Sequence, residues 1–232
     1  MGNLDIVDLV SHLVMYMVVL LLAISCHEAG HAWMSYKYGD DTAYMLGRVT
    51  INPVKHTDPI GTLLIPIVSF ILGSLGGAAT RVPLIGWGVP TPVNPRKWTN
   101  YRQANVMVSI AGIGANLILA IIGFAIFKTL LEADIINAGN IDSGVVKVAV
   151  IFLQYLIMLN VSLAAFNLLP FPPLDGSKVL STFLPESFQP IFGVLEQYGF
   201  LILMLLIYWG VIGAVIRPVY VLVNYLLLTR WF

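Results

Sequence analysis

The chain has 232 residues, of which 58% are hydrophobic and only 10% are charged, and its net charge at pH 7 is zero. Soluble domains are charged at about a quarter of their positions, so this composition excludes an ordinary soluble protein and predicts a polytopic membrane protein. The balanced charge argues against nucleic acid as a partner, and the single cysteine, Cys26, excludes an internal disulfide. At this length we expect one domain, residues 1–232, embedded in the lipid bilayer.

The first apolar stretch predicts a helix longer than a membrane requires. Apolar residues run almost unbroken from Ile6 to Cys26, and helical character continues to a predicted stop at Tyr38-Gly39. At 1.5 Å per residue this element exceeds the roughly 30 Å hydrocarbon layer of a bilayer. Residues near its C-terminal end are therefore expected inside the membrane.

The rest of the chain alternates between predicted loops and further apolar helices. Residues 42–51 have a pattern of short strands around a Gly turn, which predicts a small β-hairpin. The Gly- and Pro-rich stretch 86–95 predicts an extended loop. The remaining apolar runs cover residues 60–79, 104–131, 145–169 and 191–228. The last run holds either one long helix and a shorter one, or two spans that turn near Arg217-Pro218.

These elements predict an all-α polytopic membrane protein. About five to six membrane segments are expected, one of them re-entrant, together with the small β-hairpin.

A polar group, His27-Glu28-Ala29-Gly30-His31, follows the first apolar stretch. Residues four apart lie on one face of a helix with Cβ atoms roughly 5–6 Å apart, so His27 and His31 can both present a ring nitrogen to one metal ion. Glu28 lies about 100° further round the helix, so it can flank the metal without being a ligand. Two ligands and a neighbouring carboxylate predict a zinc hydrolase in which Glu28 is the general base.

A catalytic zinc site of this kind needs a third protein ligand. The run Asn167–Gly176 ends an apolar helix with three prolines, which force the backbone into an extended form. Asp175 is the predicted third ligand, and Gly176 allows close backbone approach beside it. The alternative is that Asp175 caps the N-terminus of a short helix through Leu184, and the two roles are compatible.

Asp175 can meet the histidines only if residues 60–79 enter and leave the membrane at one face, because the helices at 104–131 and 145–169 then form an out-and-back pair. The loops on both sides of residues 60–79 carry basic residues: Lys37, Arg48, Lys55, Arg81, Arg96, Lys97 and Arg102. Two consecutive basic loops favour a single cytoplasmic side. We therefore predict a re-entrant segment at 60–79, an outside N-terminus and a site nearer the cytoplasmic face.

The two motifs together, His27–His31 on a first membrane helix and Asn167–Gly176 after a later one, resemble those of the site-2 protease family of intramembrane zinc metalloproteases. The resemblance covers most of the chain and is to the short bacterial type without extra soluble domains. One departure is visible, because Ala111-Gly112-Ile113 stands where many members have Ala-Gly-Pro.

The resemblance implies hydrolysis of a peptide bond in or near a transmembrane segment of a membrane protein that another protease has already trimmed. It also implies a multi-pass location in the bacterial cytoplasmic membrane and Zn²⁺ as the cofactor. By position it implies His27, His31 and Asp175 as metal ligands, Glu28 as the catalytic glutamate, and Asn167 as a contact for the substrate backbone.

Two other functions fit parts of the pattern. Intramembrane histidines and carboxylates also mark ion pathways, so a divalent metal transporter or channel is the main alternative. A transit site needs no base outside its ligand set, yet Glu28 is present, and the half-repeats common among transporters are not apparent. A catalytically dead relative that acts as a membrane chaperone is the second alternative, and the intact ligands and base argue against it.

Two more polar residues have open roles. Asn116, in a central apolar helix, either lines the site or hydrogen-bonds a neighbouring helix, and the second role is common in membranes. His56 lies in a polar loop and is predicted to face solvent instead of serving as a fourth ligand.

Overall fold

A computed structural model describes residues 6–75, 86–137 and 139–228 of the chain. These ranges contain eight α-helices and no β-strand. The helices are α1 (Ile6–Lys37), α2 (Thr42–Met45), α3 (Ile65–Leu75), α4 (Tyr101–Glu132), α5 (Gly144–Asn167), α6 (Asp175–Phe183), α7 (Gln189–Tyr208) and α8 (Val211–Leu228). A π-helical turn, Pro59–Leu64, leads directly into α3.

Four helices, α1, α4, α5 and α7, are long and apolar enough to cross a membrane, judged by length and composition. Shorter apolar helices cover Pro59–Ser74 and Val211–Leu227. The protein is therefore an all-helical, multi-pass membrane protein, as its composition predicts. The apolar stretches expected at 104–131 and 145–169 correspond to α4 and α5, and α1 ends just before Gly39, at the predicted stop.

The centre of the molecule is a bundle in which α4 packs against α1, α5 and α6. Small residues let the helix backbones approach closely, as is usual between membrane helices. A Cβ at Gly30 of α1 would lie 2.7 Å from the Ala111 carbonyl oxygen of α4, and one at Gly123 would lie 3.1 Å from Ile157 of α5. The close contact between α1 and α4 matters most, because it lies at the level of the predicted metal ligands.

An ion pair at one end of the bundle defines the direction of the long helices. Lys147 Nζ near the start of α5 lies 3.2 Å from Asp8 Oδ2 near the start of α1. These two helices therefore begin at the same end, and α4, which precedes α5, runs back toward that end. This arrangement agrees with the predicted out-and-back pair of helices.

The segments before and after α3 lie side by side. Trp87 N donates to the Gly61 carbonyl at 3.1 Å, and Val89 N donates to the His56 carbonyl at 2.9 Å. The chain that follows α3 has therefore returned to the level at which the helical segment begins, as a re-entrant segment requires. Residues 76–79 of the predicted segment lie outside the described residues, and the number of membrane segments stays a prediction.

The β-hairpin predicted at residues 42–51 is wrong. Thr42–Met45 form helix α2, and no strand is present in the described part of the chain. The reason is local, because the buried Asp40 carboxylate accepts hydrogen bonds from Thr42 N at 3.0 Å and from its hydroxyl, directly after the left-handed turn at Gly39 (φ 101°). The alternation of apolar residues in the sequence does not indicate such a turn.

The last apolar run divides at Trp209-Gly210 instead of near Arg217-Pro218. Gly210 has a φ of 75°, a left-handed conformation that glycine adopts readily and that ends α7. Pro218 lies inside α8, where it does not end the helix.

Candidate metal centre

Asp175, which is distant in sequence, meets His27 and His31 in the C-terminal half of α1. His27 and His31 are 9% and 8% exposed, and their Nε2 atoms are 3.0 Å apart. Asp175, 4% exposed, places Oδ2 3.0 Å from His31 Nε2 and 3.2 Å from His27 Nε2. The structure thus brings together the residues that the sequence predicts as metal ligands.

The proline-rich connection after α5 carries Asp175 back to the histidines. The backbone leaves α5 after Asn167 and is extended at Leu174, and Asp175 is the first residue of α6. A Cβ at Gly176 would collide with the Leu168 carbonyl, so glycine at this position lets α6 pack directly on the end of α5. The N-cap position of α6 belongs to Leu174, and Asp175 turns its carboxylate toward the imidazoles.

Hydrogen bonds at the far side of both rings fix their tautomers. His31 Nδ1 donates to the Val108 carbonyl at 2.7 Å, a contact that only a protonated nitrogen can make. His27 Nδ1 lies 2.7 Å from Asn116 Oδ1, and the Asn116 amide nitrogen donates to the Ala23 carbonyl. Because the Asn116 oxygen therefore faces His27, that Nδ1 is also the donor, and in the neutral rings both Nε2 atoms carry a lone pair.

The donor set fits a zinc ion. Two imidazole lone pairs and a carboxylate oxygen lie 3.0–3.2 Å from one another, a repulsive arrangement that a cation at their centre relieves. Ligands about 2.0–2.1 Å from a tetrahedral zinc ion are roughly 3.3 Å apart, which matches these separations. Lys178 Nζ lies 2.9 Å from Asp175 Oδ1, so the second carboxylate oxygen has its own partner.

Helix α4 supplies none of these three side chains, yet one of its faces contacts both histidines. Val108, Gly112 and Asn116 follow one another at spacings of four residues. Val108 and Asn116 accept the two Nδ1 hydrogen bonds, and Gly112 lies between them. A Cβ at Gly112 would lie 2.5 Å from His31 Nε2 and 2.8 Å from His27 Cε1, so only glycine leaves room for the rings.

The same face of α4 also holds the helix that carries Asp175. Asn105, three residues before Val108, donates from its amide nitrogen to the Lys178 carbonyl at 2.9 Å and to Thr182 Oγ1 at 2.8 Å. The two contacts attach α6 to α4. One helix therefore positions all three predicted ligands.

The two roles considered for Asn116 are both present. Its amide nitrogen donates to the Ala23 carbonyl of α1 and, at 2.9 Å, to Asn160 Oδ1 of α5, while its oxygen accepts from His27. Asn160 donates in turn to the Leu156 carbonyl. Asn116 and Asn160 are fully buried, so this polar chain joins three helices directly behind His27, a predicted metal ligand.

Glu28 follows His27 directly and lies outside the group of three side chains that could hold a metal ion. Its Oε2 accepts a hydrogen bond from Thr91 N at 2.7 Å, and its backbone carbonyl accepts one from Thr91 Oγ1 at 2.9 Å. The side chain is half-buried. The contact with Thr91 joins residues 63 positions apart, and no pattern in the sequence indicates it.

The structure tests the prediction for His56, whereas the prediction for Asn167 stays untested. Asn167 is the last residue of α5, and its amide nitrogen donates to the Leu163 carbonyl at 3.0 Å, so a role in substrate contact stays a prediction. The prediction that His56 faces solvent is wrong, because the side chain is fully buried and its Nε2 donates to the Thr50 carbonyl at 2.8 Å. His56 is not part of the metal-ligand group.

A second buried polar cluster lies beyond the end of α1. Asp40 is fully buried and accepts hydrogen bonds from Ser35 Oγ at 2.9 Å and Asn94 N at 2.7 Å, in addition to those from Thr42. Burial alone raises the pKa of this carboxyl, but the hydrogen bonds outweigh it and leave the pKa below its ordinary value. Asp40 thereby ties the end of α1 to the extended loop that contains Thr91.

Comparison with known proteins agrees with this geometry. The sequence model of peptidase family M50 matches residues 15–208. A Bacillus subtilis (strain 168) protein named "Putative zinc metalloprotease YwhC" is 38% identical over 192 residues, which cover 82% of this chain and 79% of that protein.

A Mycolicibacterium smegmatis protein named "Putative zinc metalloprotease Rip2" is 30% identical over 187 residues. The match covers 81% of this chain and 64% of that protein, so the chain spans less than two thirds of that relative's length. No solved structure matches the chain. The resemblance carried by the two motifs is confirmed, and the chain belongs to peptidase family M50, the site-2 protease family.

Proposed function

We propose that this protein is an intramembrane zinc metalloendopeptidase that hydrolyses a peptide bond in or near a transmembrane segment of a membrane protein. The observation that carries the proposal is the convergence of His27, His31 and Asp175 within 3.2 Å, with Glu28 next to them but outside the set. A zinc ion bound there supplies Lewis acidity, which polarises a carbonyl group and activates water. Membership of a peptidase family favours hydrolysis over the transporter alternative.

Glu28 has the role of general base in this proposal. Because Thr91 N occupies its Oε2, the other carboxylate oxygen can accept a proton from water and deliver it to the leaving amine. The Nδ1 protons of His27 and His31 are donated to Asn116 and Val108, so in the neutral rings the Nε2 lone pairs are left for a metal ion. Asn167, at the end of α5, is proposed to contact the substrate backbone.

The proposed setting is the cytoplasmic membrane of a bacterium, with one membrane-embedded domain over residues 1–232. His27 lies about 15 Å along α1 from its end at Lys37, a depth inside the hydrocarbon layer. The contacts of Trp87 and Val89 with the segment before α3 support a re-entrant element on the same side. The substrate is a membrane protein that another protease has trimmed first.

The test replaces Glu28 with Gln, and Glu196, an exposed residue of α7, with Gln as the matched control. Each variant is expressed in a bacterial host, and new N-termini in the membrane fraction are identified by mass spectrometry. Zinc in the purified proteins is measured by elemental analysis. We expect E28Q to retain about one zinc, to lose cleavage and to accumulate trimmed single-span fragments, because only proton transfer is removed.

The E196Q control should retain both zinc and cleavage. Cleavage by E28Q at the level of the unmodified chain contradicts the proposal. So does a purified protein that moves Zn²⁺ into liposomes and generates no new N-terminus, since that result identifies a transporter.

A further inference from the structure

The loop beside Glu28 has an unusual distribution of backbone hydrogen-bond donors. Thr91 lies between Pro90 and Pro92. Proline has no N–H group, so Thr91 supplies the one backbone donor of these three residues. A residue that precedes proline favours an extended backbone, and two fixed φ angles make this short segment stiff.

That single donor is directed at Glu28. Thr91 N lies 2.7 Å from Glu28 Oε2, and Thr91 Oγ1 lies 2.9 Å from the Glu28 carbonyl oxygen. One residue therefore holds both the main chain and the carboxylate of Glu28. A free glutamate side chain has several rotatable bonds, and the contact restricts them to one arrangement.

Both ends of the loop are anchored to other parts of the molecule. Before Thr91, Val89 N donates to the His56 carbonyl at 2.9 Å. After it, Asn94 N donates to Asp40 Oδ2 at 2.7 Å, and Asp40 is fully buried. The position of the Thr91 amide is thus defined from both sides of the loop.

We propose that residues 89–94 form a positioning strut for the catalytic base, in which the Thr91 amide orients the Glu28 carboxylate and Asp40 anchors the strut. The inference rests on the proposed function of Glu28. One carboxylate oxygen is occupied by the strut, so the other is presented to the reacting water. A catalytic group held in its productive geometry lowers the barrier, whereas a mobile one loses rate without losing substrate affinity.

The first test measures hydrogen exchange and does not require that the protein cleaves a substrate. Because Pro90 and Pro92 have no amide hydrogen, deuterium uptake within residues 90–92 reports Thr91 alone, and peptide mass spectrometry can measure it in the full chain. We expect Glu28→Ala to accelerate exchange at Thr91 by about tenfold or more, since the acceptor is removed. Exchange at Val89, which donates to His56, should not change. Unchanged exchange at Thr91 in Glu28→Ala overturns the proposal.

The second test separates the amide from the hydroxyl. Thr91→Pro deletes the N–H, and Thr91→Val deletes the hydroxyl but keeps the N–H. The probe is a trimmed single-span peptide in phosphatidylethanolamine–phosphatidylglycerol liposomes. We expect Thr91→Pro to lower kcat about 10- to 100-fold with KM and zinc content unchanged, and Thr91→Val to lower it less.

Thr99→Val is the control, because Thr99 contacts the Tyr38 carbonyl at the surface and should retain full activity. If the unmodified chain leaves the peptide intact, the proposed function fails. If the unmodified chain cleaves it and Thr91→Pro cleaves with a kcat within twofold, only the strut proposal fails. A Thr91→Pro protein that loses zinc or substrate affinity as much as kcat indicates a structural role and also overturns the strut.

Discussion

Replacing Gly112 with Ala should weaken zinc binding, although it changes none of the three predicted ligands. The added Cβ would lie 2.5 Å from His31 Nε2, 2.6 Å from His31 Cε1 and 2.8 Å from His27 Cε1. An ordinary contact begins at 3.4 Å, so the His31 ring must retreat by about 0.9 Å, whereas zinc ligands tolerate deviations of only about 0.2 Å. Moving the rings away from α4 would stretch the hydrogen bonds that they donate to Val108 and Asn116 of the same helix.

The expected size of the effect follows from the cost of overpacking. Inserting a methyl group into a packed site costs about 1–3 kcal/mol, which corresponds to a loss of roughly 5- to 150-fold in zinc affinity. A general loss of folding is not expected, since alanine favours a helix over glycine by about 1 kcal/mol. Zinc affinity is measured on the purified protein by competition with a chromophoric chelator.

Gly114→Ala is the matched control. Gly114 lies two residues further along α4, and a Cβ there meets nothing within 4 Å. This variant should bind zinc as the unmodified chain does. If Gly112→Ala also binds zinc with unchanged affinity, the reasoning that α4 defines the space for the imidazoles is refuted.

Three further predictions concern the groups around the site. Asn116→Ala removes the acceptor for His27 Nδ1 and should weaken zinc binding about 10- to 100-fold in the same competition assay, and an unchanged affinity contradicts the tautomer assignment. Asp40→Asn should lower the free energy of unfolding at pH 7 by about 1–3 kcal/mol. Because folding lowers the Asp40 pKa, its stabilisation is present above the unfolded-state value of about 3.9 and is lost as the pH falls further, so thermal unfolding of variant and parent should converge in acid. Removing zinc should lower the unfolding temperature of the unmodified chain, since saturation at 100 times Kd contributes about 2.7 kcal/mol, and Gly112→Ala should show a smaller shift.

The convergence of His27, His31 and Asp175 could be predicted from the sequence because the signals that indicate it are local. His27 and His31 are one helical turn apart, and the prolines before Asp175 force the chain out of α5 at a defined point. Long apolar runs likewise predicted α1, α4 and α5, because a membrane helix must satisfy its own backbone. The requirement that the three ligands meet then predicted the direction of the helices.

Two predictions failed and one contact was not predicted because each depends on tertiary contacts. The pattern at residues 42–51 alternates as a strand does, but hydrogen bonds to buried Asp40 determine the local structure. Polar neighbours in sequence predict a solvent-facing His56, yet its side chain is fully buried and hydrogen-bonded to the Thr50 carbonyl. The contact between Thr91 and Glu28 joins two segments that no periodicity in the sequence relates, because it depends on how the loop packs against α1.

The face of α4 formed by Asn105, Val108, Gly112 and Asn116 has a consequence for redesign. Exchanging a histidine for cysteine or a carboxylate, in order to favour a different ion, would leave a proton donor missing opposite Val108 or Asn116 and a gap above Gly112. Any such exchange therefore disturbs contacts with a helix that supplies none of the predicted ligands. A search for variants with altered ion preference should randomise α4 together with the ligands.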